Sequence, residues 1–529
     1  MTGHWRALAA GVAALMVLAV VLPRFLPEPD LRENRVYAEL PAVPRSYGEA
    51  EAARKQLDAY VADHFPARSR LIAGLNFLRL KLGISGSSRV IVGRDGWLFY
   101  NDGGALGVAR GDPPLVEADA RAWLTGLAGR TEALKAKGTP YLVIVAPQKE
   151  TIYPQYAPGW YEGPSDKRAA LRLSVLARQT GAGEVLHLYP PVVQAARSGI
   201  HAYSPHDTHW TGAGAYAGYV ATLRRLQRLG VTREAPRPIY DFAPTADPPA
   251  RDLAQMLGVG ALVRLNYARL ADNEADQKRV VKYLTDNHSW TGARVVETGQ
   301  VGKPVALITA DSFSNALLPF LYDHFSRVVI AHNQDGTWRE DLIARFQPDV
   351  VMLEVLESGL PYSLNPAPAP AAATASRLAL ADLSGRPTPP SVRLPPGGLR
   401  PADRASATLL AGAHPAVGCN PERFSFEGRA ATRVLRAEGW ISNNGPRPGT
   451  ADAVVRLQGP GGDFVAPMAV DQDRPDVAAF LKQPAARISG YKAEIGAGAL
   501  PRGDYKLFVY RRMSQRWIYC SPAALLRAP

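Results

Sequence analysis

The chain has 529 residues, 47% hydrophobic and 21% charged, with 47 Gly and 45 Pro; this supports a large packed core in roughly two to four domains and excludes a peptide-sized scaffold or a low-complexity chain. The 61 Lys+Arg against 48 Asp+Glu give a formal charge of +13. That balance suits lipid headgroups, an acidic polysaccharide or simply a soluble basic surface, and the lack of any Arg/Lys run with interleaved aromatics argues against nucleic acid.

From the N-terminus, Ala7 to Leu22 is an unbroken apolar run between Arg6 and Arg24. It reads as an export signal, and Val20-Val21-Leu22-Pro23-Arg24 offers no small-x-small cleavage site, so residues 1–27 are expected to stay as a membrane-spanning signal anchor. Residues 28–44 are polar and Pro-containing, a stalk that leaves the rest of the chain on the trans side. Helical spacing begins near Tyr47, and Arg89 to Tyr100, with Gly93-Arg94-Asp95-Gly96 at its centre, is a hairpin by its turn residues.

A helix-then-strand rhythm follows. Leu115 to Ala136 has helical spacing and Tyr141 to Ala146 is a continuous apolar strand; Asp166 to Gln179 is a helix and Val185 to Leu188 a strand. The rhythm resumes with strands at Val305 to Thr309, Val328 to Ala331 and Val350 to Val355, and a helix from Asn315 to Phe325. Such alternation predicts an α/β domain over 45–360, a parallel sheet with helices on both faces, in which residues 233–302 fit poorly and read as an insertion. Residues 361–404 are rich in Pro, Ala and Ser and read as an extended linker. Residues 405–529 carry short β-like runs between Gly/Pro/Asn turns and predict a small β-sandwich. Both cysteines, Cys419 and Cys520, lie there; without CxxC or zinc spacing, export favours their pairing, the alternative being two buried thiols.

In open parallel sheets ligands bind beyond the carboxyl ends of the strands. Ser312, in Thr309-Ala310-Asp311-Ser312-Phe313, sits where a strand turns into a helix and can expose its Oγ as a nucleophile, with its own backbone N–H aimed at a developing oxyanion. The alternative is that Asp311 or Ser312 merely caps the helix. Serine needs a base and the base an orienting carboxylate; His209 and Asp207, two apart in His206-Asp207-Thr208-His209-Trp210, supply both. Two other readings of that segment are a helix cap at Asp207 or Thr208 and a metal cluster of His201, His206, Asp207 and His209.

The order Gly93-Arg94-Asp95-Gly96-Trp97-Leu98-Phe99-Tyr100, Ala146-Pro147-Gln148-Lys149 with Ile152-Tyr153-Pro154, Asp207-Thr208-His209-Trp210 and Ala310-Asp311-Ser312-Phe313 resembles the periplasmic alginate O-acetyltransferase family. The resemblance spans about residues 45–360. It implies an SGNH-hydrolase-like fold with Ser312 as nucleophile, His209 as base and Asp207 as its orienting acid. This chain has Ala310-Asp311 where family serines follow Gly-Asp or His-Asp, and the usual oxyanion Gly and Asn blocks are not recognisable. Lys149 is placed beside substrate, with a surface lysine as the alternative. The C-terminal segment resembles β-domains of bacterial surface-polysaccharide enzymes, where Trp440 and Tyr491 would stack on sugars, core packing being the alternative.

The expected protein is therefore an enzyme on the periplasmic side of the inner membrane that moves acetyl groups onto hydroxyls of an exported polysaccharide through an acetyl-serine. It needs no metal and no cofactor. Because acetyl-CoA does not cross a bilayer, a membrane acyl-carrier partner is implied, and the resemblance implies that it is a membrane-bound O-acyltransferase. The alternatives are an esterase with the same triad and a non-catalytic polysaccharide-binding or assembly factor.

Overall fold

A computed structural model describes residues 2–21, 38–383 and 398–529, except 65–67, 102, 103, 105, 198, 199, 245–250, 264–266, 268, 273–277, 403–409, 411, 412, 417, 429–432, 443–450, 460, 514, 515 and 522–524. Residues 1 and 22–27 of the expected anchor, 28–37 of the expected stalk and 384–397, 403 and 404 of the expected linker lie outside the described residues. The expected membrane-spanning anchor is not met: no helix among the described residues is long and apolar enough to cross a membrane. The first helix, Thr2–Val21, opens on Thr2-Gly3-His4-Trp5-Arg6. Its apolar part, Ala7 to Val21, therefore rises only about 22 Å at 1.5 Å per residue, short of a hydrocarbon core of about 30 Å.

Two helices, Tyr47–His64 and Arg68–Lys81, precede the hairpin of Val90–Val92 with Leu98–Tyr100. The central sheet has seven strands in the order Glu184–His187, Tyr141–Ala146, Val350–Leu356, Val305–Ala310, Arg327–His332, Arg294–Glu297, Val280–Tyr283. The first five are mutually parallel. Their apolar runs are continuous because successive side chains serve opposite cores. Leu142, Ile144 and Ala146 pack with the helices Gly212–Arg228 and Ser314–Leu321, while Tyr141, Val143 and Val145 pack with Glu117–Lys135 and Ala169–Thr180.

The sheet departs from the all-parallel expectation at one edge. Arg294–Glu297 and Val280–Tyr283, both inside the supposed insertion, add antiparallel strands to Arg327–His332. Val280 and Val281 are exposed there, and such an outer strand lacks the two-sided apolar run that marks an interior parallel strand. The segment after the sheet also departs from an extended linker. Ala372–Leu380 is a helix lying on Glu117–Lys135, where Glu132 accepts from Ala371 N at 2.7 Å and Thr374 Oγ1 at 2.6 Å.

Beyond residue 398 the chain forms a four-stranded sheet, with Gly418–Glu427, Val434–Ser442 and Ile488–Gly496 as its long strands, and a second sheet built on Ala451–Gly459, Gly462–Val470 and Gly503–Met513. Leu435, Ile441 and Tyr491 of the first meet Val455, Leu457 and Leu507 of the second in one core. The expected disulfide is present: Cys419 and Cys520, 101 residues apart with Cα atoms 6.1 Å apart, link Gly418–Glu427 of one sheet to Arg516–Cys520 of the other.

Candidate active site

The strand Val305–Ala310 ends in a turn held by Asp311. Its carboxylate accepts from Phe313 N at 2.9 Å and reaches the neighbouring strand to accept from Leu356 N at 2.8 Å. Asp311 thus fixes the turn, and Ser312 is not a cap: its Oγ lies 2.8 Å from His209 Nε2.

His209 arrives on a loop, 201–211, closed upon itself. Thr211 N donates to Ala202 O at 2.9 Å and Tyr203 bridges Trp210 in antiparallel fashion. Thr211, not Asp207 or Thr208, caps the helix Gly212–Arg228, its Oγ1 accepting from Gly214 N at 3.0 Å. Gly214 is required, because a Cβ there would come within 2.2 Å of Ala202 O. Relieved of capping, Asp207 Oδ1 accepts from both His209 N at 2.8 Å and His209 Nδ1 at 2.9 Å. With Nδ1–H donated to the carboxylate, Nε2 is the lone-pair side facing Ser312, the tautomer the hydrogen-bond network assigns. Trp210 Nε1 donates to Phe313 O at 2.9 Å and ties this loop to the serine turn.

Sequence reasoning missed two supports. Asp252, at the start of the helix Asp252–Met256, accepts from Thr208 N at 2.7 Å, donates its own N–H to Asp207 Oδ2 at 3.3 Å and brings Oδ2 within 3.7 Å of His209 Nδ1. Nothing local marks it, since its partners are 43–45 residues away in sequence. The second is Lys149, which is neither a surface lysine nor directed at the serine. It is buried, and its Nζ donates to the carbonyls of Leu98, Pro205 and Asp207 at 2.6, 2.9 and 2.9 Å, all three donors of an ammonium. Lys149 therefore clamps the loop from beneath.

The electrostatics follow from burial opposed by this network. Burial works against the His209 imidazolium, but the hydrogen bond and charge of Asp207, with the charge of Asp252, raise its pKa above the ordinary value. Burial works equally against the Asp207 carboxylate, and the bonds and charge of His209 outweigh it and hold the group low. Asp252 is raised by burial and by the Asp207 charge. Burial lowers Lys149 to about 7 against the pull of Asp207 and Asp252.

The alternative reading of a cluster of His201, His206, Asp207 and His209 is not met, since His201 is drawn away to Asp471, its Nδ1 3.5 Å from Oδ2. Among the described residues the ligand-type atoms that come within 4.8 Å of one another are those of Asp207, His209 and Asp252, and the hydrogen bonds above already employ them. Trp440 and Tyr491 do not face solvent: Trp440 is 8% exposed and packs on Val477 and Ala486, Tyr491 is 0% exposed in the core between the two sheets, and neither ring presents a face to a sugar. A cleft of about 800 Å³ opens beside the loop, between Trp97, Tyr156 and His206 on one wall and Arg436, Lys492 and Glu494 on the other. Tyr267 borders both this cleft and the smaller space at Asp207 and His209.

Residues 90–343 match the family described as the SGNH hydrolase-like domain of the acetyltransferase AlgX. Similar solved structures are the O-acetyltransferase domain of Pseudomonas putida AlgJ (21% identity, 51% of this chain and 92% of that one, TM-score 0.34), Bacillus cereus PatB1 (15%, 51% and 96%, 0.36) and Pseudomonas aeruginosa AlgX (15%, 82% and 94%, 0.29). No curated protein matches the chain. The family match thus covers the 90–343 part of the chain, the part that carries Asp207, His209 and Ser312.

Proposed function

We propose that this protein is a serine-dependent O-acetyltransferase that acetylates hydroxyls of an exported polysaccharide on the periplasmic side of the membrane. The observation that carries the reading is the Ser312 Oγ to His209 Nε2 distance of 2.8 Å with Asp207 behind the ring. Ser312 Oγ attacks the acetyl carbonyl while its proton passes to His209 Nε2, and collapse of the tetrahedral adduct hands that proton to the departing donor group. A sugar hydroxyl then attacks the acetyl-serine, gives its proton to His209 and leaves as the acetyl ester, and the proton returns to Ser312 Oγ. The Ser312 N–H, at the head of the turn, is the donor assigned to the oxyanion. An acetyl group that starts on the far side of a bilayer needs a membrane carrier, and a membrane-bound O-acyltransferase is the donor partner included in this proposal.

An esterase would share the triad. The cleft favours transfer, since its Arg436 and Lys492 offer cationic groups to an acidic polymer lying along it. The test is mass spectrometry of the protein after an activated acetyl ester. A gain of one acetyl group on the peptide containing Ser312, absent in Ser312→Ala of unchanged thermal unfolding, is the expected result. An adduct that persists in Ser312→Ala removes the reading.

A further inference from the structure

The helix Arg68–Lys81 is apolar on two opposite sides. At about 100° per residue, Ala73, Asn76, Phe77 and Leu80 share one side, and that side is seated on the body of the protein. Ala73 and Asn76 are buried, Asn76 Nδ2 donates to Leu257 O at 2.8 Å, and Phe77 and Leu80 pack on Leu98, Leu253 and Leu257. Leu71, Leu75, Leu78 and Leu82 fall within an arc of roughly 60° on the other side. They are 61%, 49%, 58% and 67% exposed. Single exposed leucines need no explanation, but four in one stripe do.

The charges around the stripe say what covers it. On the same helical wheel the exposed Arg79 and Lys81 stand at its two borders, with the half-buried Arg68 and Arg70 beside them, and no acidic residue occurs from position 68 to 84. Leucines centred between flanking Arg and Lys are the pattern of a helix lying in the plane of a lipid interface: the leucines enter the acyl boundary while the basic side chains extend to the phosphates. A second copy of the chain would bring the same basic rim against itself. We propose that the Arg68–Lys81 helix docks this protein on an anionic lipid surface, leucine stripe down.

The docking places the site close to the bilayer. The loop end Leu257 that receives Asn76 follows the short helix Asp252–Met256, whose first residue supports His209, so only one packed layer separates the lipid-facing helix from the triad. This inference stands whether or not the serine transfers acetyl groups.

The test uses the full chain with one introduced thiol, Leu75→Cys or Leu78→Cys, which an environment-sensitive dye labels selectively because the two native cysteines are paired. Val301→Cys, on an exposed position elsewhere, serves as control. Vesicles of phosphatidylcholine with phosphatidylglycerol, and of phosphatidylcholine alone, are prepared with and without brominated acyl chains. The expected result is bromine quenching of the dye at 75 and 78, not at 301, on the anionic vesicles. Arg79→Gln/Lys81→Gln should weaken this binding roughly 25-fold, at about fivefold per basic side chain. Absence of quenching at 75 and 78 overturns the proposal. So does a dye that becomes shielded without lipid while light scattering reports a doubled mass, which would give the stripe to a second copy. Because the readout is local to the stripe, binding through the Thr2–Val21 helix alone leaves it unmoved and counts against the proposal.

Discussion

Ser312, His209 and Asp207 come from two stretches of sequence about a hundred residues apart and meet with hydrogen-bond spacings of 2.8 and 2.9 Å. Ser312 and Asp207 are each relieved of a structural duty by a neighbour: Asp311 holds the turn that would otherwise need Ser312, and Thr211 caps the helix that would otherwise need Asp207 or Thr208. A base must be neutral to accept the serine proton, and His209 titrates above its ordinary 6.5. Activity toward a small activated ester should therefore rise with pH through an acid limb lying above 6.5. Asp252→Asn keeps an acceptor for Thr208 N and removes one negative charge near Nδ1, so its acid limb should move to lower pH. Asp207→Asn should instead lose activity by a factor on the order of 10³ or more, because the amide no longer selects the Nδ1–H tautomer. Rate against pH for the three proteins checks both. An Asp252→Asn limb at the wild-type position would reduce that residue to a loop clamp.

The 201–211 loop is the element on which the site depends, and part of its support comes from the C-terminal sheets. Asp471 Oδ2 accepts from His201 N at 3.1 Å, and Gln472 Nε2 donates to the Tyr267 hydroxyl at 3.3 Å, with Tyr267 stacked on His201 at 4.8 Å. From below, Lys149 holds the tip at Pro205 and Asp207. Asp471→Ala leaves the His201 N–H buried without an acceptor, a cost of about 1–3 kcal/mol borne by the loop. Its expected outcome is a drop of roughly tenfold or more in kcat for a small ester, with the melting temperature of the whole protein little changed. A role confined to polymer binding predicts unchanged small-ester turnover, so steady-state kinetics on a monofunctional ester separates the two.

At the scale of the whole molecule, two features extend beyond the parallel sheet. The Cys419–Cys520 bond closes a loop of 101 residues across both C-terminal sheets. On the entropic account its loss, as in Cys419→Ser/Cys520→Ser, should lower the stability of that region by about 4 kcal/mol, read from denaturant unfolding monitored by its tryptophans. The cleft shared by the two parts of the chain bears on the outcome of the reaction. In the proposed mechanism water at about 55 M competes for the acetyl-serine, and a held hydroxyl can reach effective molarities of about 10⁵ M. Oligosaccharide acceptors of increasing length should therefore raise the ratio of acetylated sugar to free acetate. A ratio that stays flat for every acceptor would assign the triad to an esterase.

Local patterns were enough for much of this protein. The apolar runs at 141–146, 305–309 and 350–355 declared buried parallel strands because such strands are apolar on both faces, and Asp207, His209 and Ser312 stood out because each follows or precedes a regular element at the place where a parallel sheet binds ligands. The confinement of both cysteines to one region made their pairing legible in the same way. What only the tertiary structure decided are features whose partners are remote. Lys149 reads as a surface or substrate-side residue until three carbonyls from distant segments close around it, and the choice between sugar stacking and core packing stays open until Val477 and Ala486 cover Trp440 and the second sheet covers Tyr491. Asp252 and the antiparallel edge strands sat in a stretch with no periodicity to announce them. Periodicity records which side of an element is buried, whereas the identity of what lies against that side is set by chain folding over tens to hundreds of residues, and this is where Asp252, Asp471 and Lys149 acquired their roles.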